Sequence, residues 1–514
     1  MTLSVLSVAS EAVPFIKTGG LADVAGALPA AVAPHGVAMT TMLPGYPAVL
    51  ARIAAQAAAT APSAKPPAKP KSRGKAKAPA GPVVLHEWAD LLGFSARLLG
   101  GTLNGAADGP RVLVLDCPAL FAREGGPYGN AAGQDWADNA RRFAVFARAA
   151  ADVAGGAVPG LSFDLVHAHD WQAGLVPAYL RFAPYGGRHV PSIMTIHNMA
   201  FQGHYGAEVF PMLGLPIEAW SMHGVEYHGG VSFLKAGLEA AEIITTVSPT
   251  YALEIRDPQF GMGLEGLIRS RGDRVRGIVN GIDPAEWGPA QDKSIAANFT
   301  ARTLAKRVAN KRALEAEFGL ESDDGPLFIV VSRLTWQKGM DVLCECIDHL
   351  VGLGGRLALL GAGDAALVQD LMAAAGRHPG RVSVRIGYDE ALAHRMQAGG
   401  DAILVPSRFE PCGLTQLYGL AYGCVPVVAR TGGLADTVVD ANLAAMSAGA
   451  ATGVQFVPVS YAGLSLAISR VIALYHQGDA WKKIQKAAML SDFTWTQSGA
   501  TYAQLYREIT KEPL

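Results

Sequence analysis

A series of short, mostly apolar runs, each closing on a glycine-rich or polar loop, limits what this chain can become. Residues 3–9, 111–115, 163–167, 192–196 and 242–247 have the length of buried strands, and residues 327–331, 356–360, 382–386, 402–406 and 425–429 repeat the pattern. Between them lie segments with apolar residues three and four apart, the spacing of one helix face. Strands that alternate with helices pair in parallel, and a parallel strand covered on both faces reads as a continuous apolar run. The alternation pauses after Ser248 and restarts. The pattern therefore predicts an α/β chain with two doubly wound units, and 514 residues are too many for one ordinary core.

Open parallel sheets place chemistry at the carboxyl ends of their strands, so the loops that follow the runs come first. After 402–406 comes R-F-E-P-C-G-L-T-Q-L-Y-G-L-A-Y-G at 408–423, which sets Glu410 just past a strand end. A helix beginning near Gly413 to Thr415 offers free N–H groups to an anion in the same corner. After the first run comes Lys17-Thr-Gly-Gly-Leu-Ala-Asp-Val, and after 425–429 comes Thr431-Gly-Gly-Leu-Ala-Asp-Thr. Alone, a Gly-Gly pair marks a turn; its recurrence with the same flanks makes Gly19, Gly20, Gly432 and Gly433 candidates for close approach to a ligand. Arg333 and Lys338, five residues apart after 327–331, would converge on a diphosphate, one as a fork and one as a point charge. Gly361, Tyr388 and Asn280 also follow strand-like runs.

Several functions are excluded. Net charge is −1, which gives no footprint for nucleic acid. Five scattered cysteines fit a reducing compartment and not a disulfide framework. No apolar run reaches the ~18 residues that a membrane span requires, and residues 1–11 lack the basic start of a signal peptide, so a cytoplasmic enzyme is expected. The H-A-H-D at 167–170 lacks the spacing of a helical zinc motif, and no D-x-D is present, so neither a metal nor another cofactor is expected. The G-x-G at 361 lacks the fingerprint of a nicotinamide site. Residues 54–82, rich in Ala, Pro and Lys, have little to bury and are expected to be a disordered insert.

The three motifs at 17, 410 and 431, in that order, resemble the bacterial glycogen synthase and plant starch synthase family, and the likeness spans nearly the whole chain except the insert. The resemblance implies two facing Rossmann-like domains, the GT-B glycosyltransferase fold, with a deep interdomain cleft. The domains would be 1–250 on the acceptor side and 251–492 on the nucleotide-sugar side, with 493–514 returning to the first. It implies a retaining transfer of glucose from ADP-glucose to the non-reducing end of glycogen or a maltooligosaccharide. His169 would pack against the donor sugar and present its main-chain carbonyl to the anomeric centre, and Asp138 would lie among acceptor sugars. Glu410 would hold sugar hydroxyls, with Cys412, Gly413 and Leu414 lining the glucose pocket. Lys17, Arg333, Lys338, Thr415 and Thr431 would serve the diphosphate, Tyr388 the base and Asn280 the sugar. Many retaining relatives carry a second Glu eight residues after the first; here Tyr418 stands there, as in the glycogen and starch synthase branch. Rival readings are a related transferase with UDP-glucose or another acceptor, and a catalytically silent α-glucan-binding scaffold.

Overall fold

A computed structural model of the chain describes residues 2–60, 82–102, 109, 111–130 and 133–511. It separates into two units, one of residues 1–246, 255–278 and 498–514, the other of residues 247–254 and 279–497.

The first unit is built on a nine-stranded sheet. Its order runs Val275–Gly277, Ile243–Thr246, Ser192–Ile196, Leu165–His169, Leu3–Val8, Val37–Pro44 and Arg111–Asp116, all parallel, and then Phe94–Thr102 and Val83–Leu91, both antiparallel. The order reverses at Leu3–Val8, which pairs with Val37–Pro44 on one side and Leu165–His169 on the other. The loops after Val8 and His169 therefore share the sheet's switch point, the place where such folds bind ligands. The helix Asn139–Gly155 covers this sheet and buries fourteen of its seventeen residues. Its alanines let it lie against neighbours on nearly every side.

The second unit holds a six-stranded sheet, parallel throughout: Val382–Ile386, Arg356–Gly363, Leu327–Leu334, Ala402–Val405, Val425–Ala429 and Val454–Phe456. Successive side chains of a strand point to opposite faces. Phe328, Val330, Leu357, Leu359, Leu404 and Val427 accordingly join one core, and Leu327, Ile329, Ala358, Leu360, Ile403 and Val428 the other. That explains why these runs are apolar without alternation.

Three expectations need correction. Residues 255–278 belong to the first unit, not the second, because Val275–Gly277 pairs with Ile243–Thr246 at the edge of the first sheet. The expected insert starts later than residue 54, because the helix Pro47–Thr60 continues through its alanine-rich beginning, as the high helix propensity of Ala favours. The rest of that segment, 61–81, lies outside the described residues. The strand Arg356–Gly363 carries Gly361 inside the sheet and not in a loop after it. The last helix, Trp495–Lys511, packs on the first unit, where Tyr506 OH meets His167 Nδ1 at 2.8 Å.

Candidate active site

In the second unit, the strand Ala402–Val405 is buried throughout and leads past Ser407 to Glu410. The Glu410 side chain is 8 % exposed, and its Oε2 lies 2.5 Å from Lys338 Nζ and accepts from Ser407 Oγ at 2.9 Å. Lys338 comes from the loop after Leu327–Leu334, the strand beside Ala402–Val405 at the point where the order of this sheet reverses. Adjacent loops at one edge thus join residues 72 positions apart. A buried carboxylate is tolerated only with a counter-charge and hydrogen bonds, and both are present. Arg333, expected on the loop with Lys338, lies instead inside the strand Leu327–Leu334, opposite Ala362; it is exposed, and among the described residues none bonds to its guanidinium. Of the two expected cations, Lys338 rests on Glu410 and Arg333 is exposed.

The Thr431 turn packs directly on this loop. Gly432 has φ +43°, and a Cβ there would stand 2.0 Å from the Glu410 carbonyl oxygen; one on Gly433 would stand 2.3 Å from that of Cys412. The Gly433 N–H donates to the Glu410 and Pro411 carbonyls at 3.1 and 3.2 Å. These glycines are required by backbone meeting backbone, so the expected approach of a ligand does not account for them. Gly361 is likewise fixed by its neighbouring strand, since a Cβ there would meet the Ser332 carbonyl at 2.2 Å. Thr431 Oγ1 and the Gly432 N–H both donate to one oxygen of Glu254, at 2.9 and 3.0 Å.

Cys412 is buried, and burial pushes its thiol up to about 12. Asn280 lies against it, 3 % exposed, with its Oδ1 enclosed and without a hydrogen-bond partner among the described residues. Gly413 has φ +74°, and the side chain of Gln416 fills the space a Cβ would take, donating to the Cys412 and Gly413 carbonyls at 3.1 and 2.8 Å. Leu414 starts the helix Thr415–Tyr422 without a side-chain cap. Tyr388 follows Val382–Ile386 at the same sheet edge, its ring 74 % exposed and its hydroxyl on Glu390 at 2.7 Å. Tyr418 stacks on Trp287 at 3.6 Å between centroids.

In the first unit, Lys17 pairs with Asp23 at 2.8 Å. Gly19 caps the helix Gly20–Val32 in extended backbone, and the space beside it is open. The loop is anchored by Glu11, which is 2 % exposed and accepts from the Thr18 N–H, from Thr18 Oγ1 at 2.6 Å and from Tyr128 OH. His169 differs from expectation: its ring is fully buried, with Nδ1 on His197 Nε2 at 3.0 Å and Nε2 on Ser7 Oγ at 3.2 Å. The imidazole is used up inside the fold. Burial and the neighbouring rings hold it well below the usual histidine range, and burial takes His167 and His197 down to about 3. Asp170, at φ +54°, accepts from the His197 N–H at 2.6 Å and is pushed up to about 7 by burial. Asp138 heads the helix Asn139–Gly155 and is held by both arms of Arg123 at 2.8 and 2.7 Å. Among the described residues no group of three or more His, Cys, Asp or Glu is disposed to hold a metal ion.

Sequence reasoning missed Glu11 and Glu254. Each follows a strand of the first sheet, although Glu254 serves the second unit, and each stands at a position that reads only as a polar residue near an apolar run. Their partners are 7 and about 178 residues on, and no spacing rule connects the second pair.

Two units built on largely parallel sheets, with a buried carboxylate–ammonium pair at the switch point of the second, fit a glycosyltransferase of the GT-B fold, as the following likenesses show. Residues 4–270 match the family described as starch synthase catalytic domain, and residues 312–488 match glycosyl transferases group 1. The chain is 68 % identical over 513 residues to the glycogen synthase of Novosphingobium aromaticivorans, covering all of both chains, and 53 % identical to that of Rhizobium rhizogenes, covering 99 % of each. The catalytic domain of starch synthase IV from Arabidopsis thaliana, bound to ADP and acarbose, superposes with a TM-score of 0.84 at 29 % identity over the full length of both. A sucrose-phosphate synthase from Thermosynechococcus elongatus shares the fold, with a TM-score of 0.58 at 17 % identity and 99 % of each chain covered. The chain belongs to the glycogen and starch synthase family, and it is a glucosyltransferase of the glycogen synthase type. No helix among the described residues is long and apolar enough to cross a membrane.

Proposed function

We propose that the chain transfers glucose from ADP-glucose to the non-reducing end of an α-1,4-glucan in the cytoplasm, retaining the anomeric configuration. The observation that carries this reading is the buried Lys338–Glu410 pair, with Arg333 exposed on the strand that leads to Lys338. The starch synthase relative bound to ADP and acarbose supports a nucleotide donor and a glucan acceptor.

Breaking the glycosidic bond of a nucleotide sugar leaves positive charge at the anomeric carbon and negative charge on the departing diphosphate. Arg333 and Lys338 offset the second, together with the amide ends near Gly413 to Thr415. Glu410 receives sugar hydroxyls and offsets the first. Asn280, whose Oδ1 has no donor among the described residues, accepts from a hydroxyl of the same sugar, while Cys412, Gly413 and Leu414 wall the glucose and Tyr388 stacks on the base. In the first unit, Lys17 and the turn at Gly19 and Gly20 serve the donor, Asp138 serves the acceptor, and the carbonyl of His169 faces the anomeric centre. No side chain is assigned as a nucleophile. Transfer proceeds on one face within an ion pair, and the departing phosphate takes the acceptor's proton.

The test is glucose incorporation into glycogen from ADP-glucose and from UDP-glucose, with a chelator present. Incorporation from ADP-glucose is expected. Incorporation from UDP-glucose alone would replace the donor, and none from either, with ADP still bound, would point to another acceptor or a silent scaffold.

A further inference from the structure

The short helix Pro249–Glu254 belongs to the second unit although the residues on both sides of it belong to the first. It is fastened at both ends to the segment that carries Thr431. At its start, Thr250 donates its N–H and hydroxyl to the two oxygens of Asp436, at 2.8 and 2.6 Å. At its end, Glu254 Oε1 receives the Thr431 hydroxyl and the Gly432 N–H. Just before the helix, Ser248 Oγ donates to the Pro411 carbonyl at 2.7 Å. Three residues of the segment 248–254 thus tie it to the loop of Glu410 and to the turn packed against it.

We propose that Glu254 is a positioning residue for glucosyl transfer, acting through the Thr431–Gly432 turn on the backbone that carries Glu410. The inference rests on the reading that Glu410 faces the transferred sugar. A single carboxylate oxygen fixes the hydroxyl and amide that open the turn, the next amide, Gly433 N–H, grips the Glu410 carbonyl, and there is no spare room, since even a methyl on Gly432 would overlap that carbonyl. A displacement of the turn is therefore passed on to Glu410 and not absorbed. Burial pushes the Glu254 carboxyl above its ordinary range, and among the described residues Oε2 has no hydrogen-bond partner and the carboxylate no salt bridge, so its place is held by the hydrogen bonds at Oε1. An amide oxygen would fill the same role, because what the turn requires is an acceptor.

The test compares Glu254→Ala, Glu254→Gln and Thr250→Val for glucose incorporation, ADP affinity and melting temperature. A catalytic group misplaced by ~1 Å loses about 100-fold in rate, so Glu254→Ala is expected to lower kcat by about 30- to 100-fold while KM for the donor and the ADP Kd move by less than about 3-fold. Glu254→Gln should keep kcat within about 3-fold of wild type, and Thr250→Val, which loosens the other end, should lower it by roughly 3- to 10-fold on the same scale. Full kcat in Glu254→Ala, equal loss in the Ala and Gln variants, or loss of ADP affinity in step with kcat would overturn the proposal. If Glu254→Ala does not fold, an unchanged kcat in Thr250→Val overturns it equally. The wild-type rate from ADP-glucose, measured alongside, separates this inference from the reading beneath it.

Discussion

One methyl group at Gly432 tests how tightly the two loops of the second unit are joined. In Gly432→Ala the added carbon would begin 2.0 Å from the Glu410 carbonyl oxygen at a φ of +43°, where normal contact begins near ~3.4 Å, so one backbone must move by over ~1 Å. The left-handed backbone costs an alanine about 1–2 kcal/mol, and losing the Gly433 N–H bond to Glu410 removes about 1 kcal/mol more. The sum, about 2–3 kcal/mol, corresponds to a fall in melting temperature of roughly 5–10 °C for a unit of this size. The displaced carbonyl belongs to Glu410 itself, so kcat should drop by about 100-fold. Initial rates of glucose incorporation and a thermal melt read both effects. Gly19→Ala is the control: the same motif in the first unit has extended backbone and open space, so its melt should match wild type, and any loss should appear in substrate affinity. A Gly432→Ala protein with wild-type rate and melt would refute the reasoning, because it would mean the loops part without cost.

Glu410→Ala should lower kcat by about 1000-fold, in line with removal of a group that offsets transition-state charge, with ADP binding nearly intact by calorimetry. Lys338→Met leaves a buried carboxylate without its counter-charge and should destabilise the second unit by about 2–4 kcal/mol as well as slow transfer, visible as a shift in the denaturant midpoint. Tyr388→Ala removes an exposed ring, so it should leave the melt unchanged and weaken ADP binding by about 10-fold, the loss of one base–aromatic stack. The buried groups of the first unit set a pH dependence. His167, His169 and His197 are held neutral in the fold and protonate only when it opens, so they make stability fall as pH drops below their unfolded range. Asp170, raised to about 7, holds a proton in the fold that it releases on opening, so alone it makes stability fall as pH rises from the unfolded carboxylate range to about 7. Between roughly pH 4 and 6, unfolding should therefore take up about two protons from these four groups, and about three in Asp170→Asn; melts across that range check the slope.

The strands and the sheet edge they serve were legible because buried parallel strands leave unbroken apolar runs, and because glycines and charges gather where those runs stop. Glu410 and Lys338 could be named from that rule, but their contact could not, since it depends on which strands are neighbours at the reversal of order. The Thr-Gly-Gly repeat was legible as a pattern but not in its cause, which at Gly432 is the carbonyl of a residue 22 positions earlier in the chain. His169 was legible as a strand-end residue, whereas its burial follows from Ser7 on one flanking strand and His197 just past the end of the other. The domain boundary was misplaced because the pairing of Val275–Gly277 with Ile243–Thr246 is a tertiary choice made by a three-residue edge strand, too short to leave a periodic signal.

The path of the chain through residues 247–278 also decides how the enzyme can be taken apart. Neither unit is a single stretch of polypeptide. A cut at residue 250 would split the Pro249–Glu254 helix, deprive one fragment of an edge strand and leave the other without Ser248. The second unit made for separate study would have to regain residues 247–254, either by circular permutation or as an added peptide. The same holds over evolutionary time: exchange of this half between relatives, as a block beginning after the helix, would arrive without the carboxylate that steadies its own Thr431 turn.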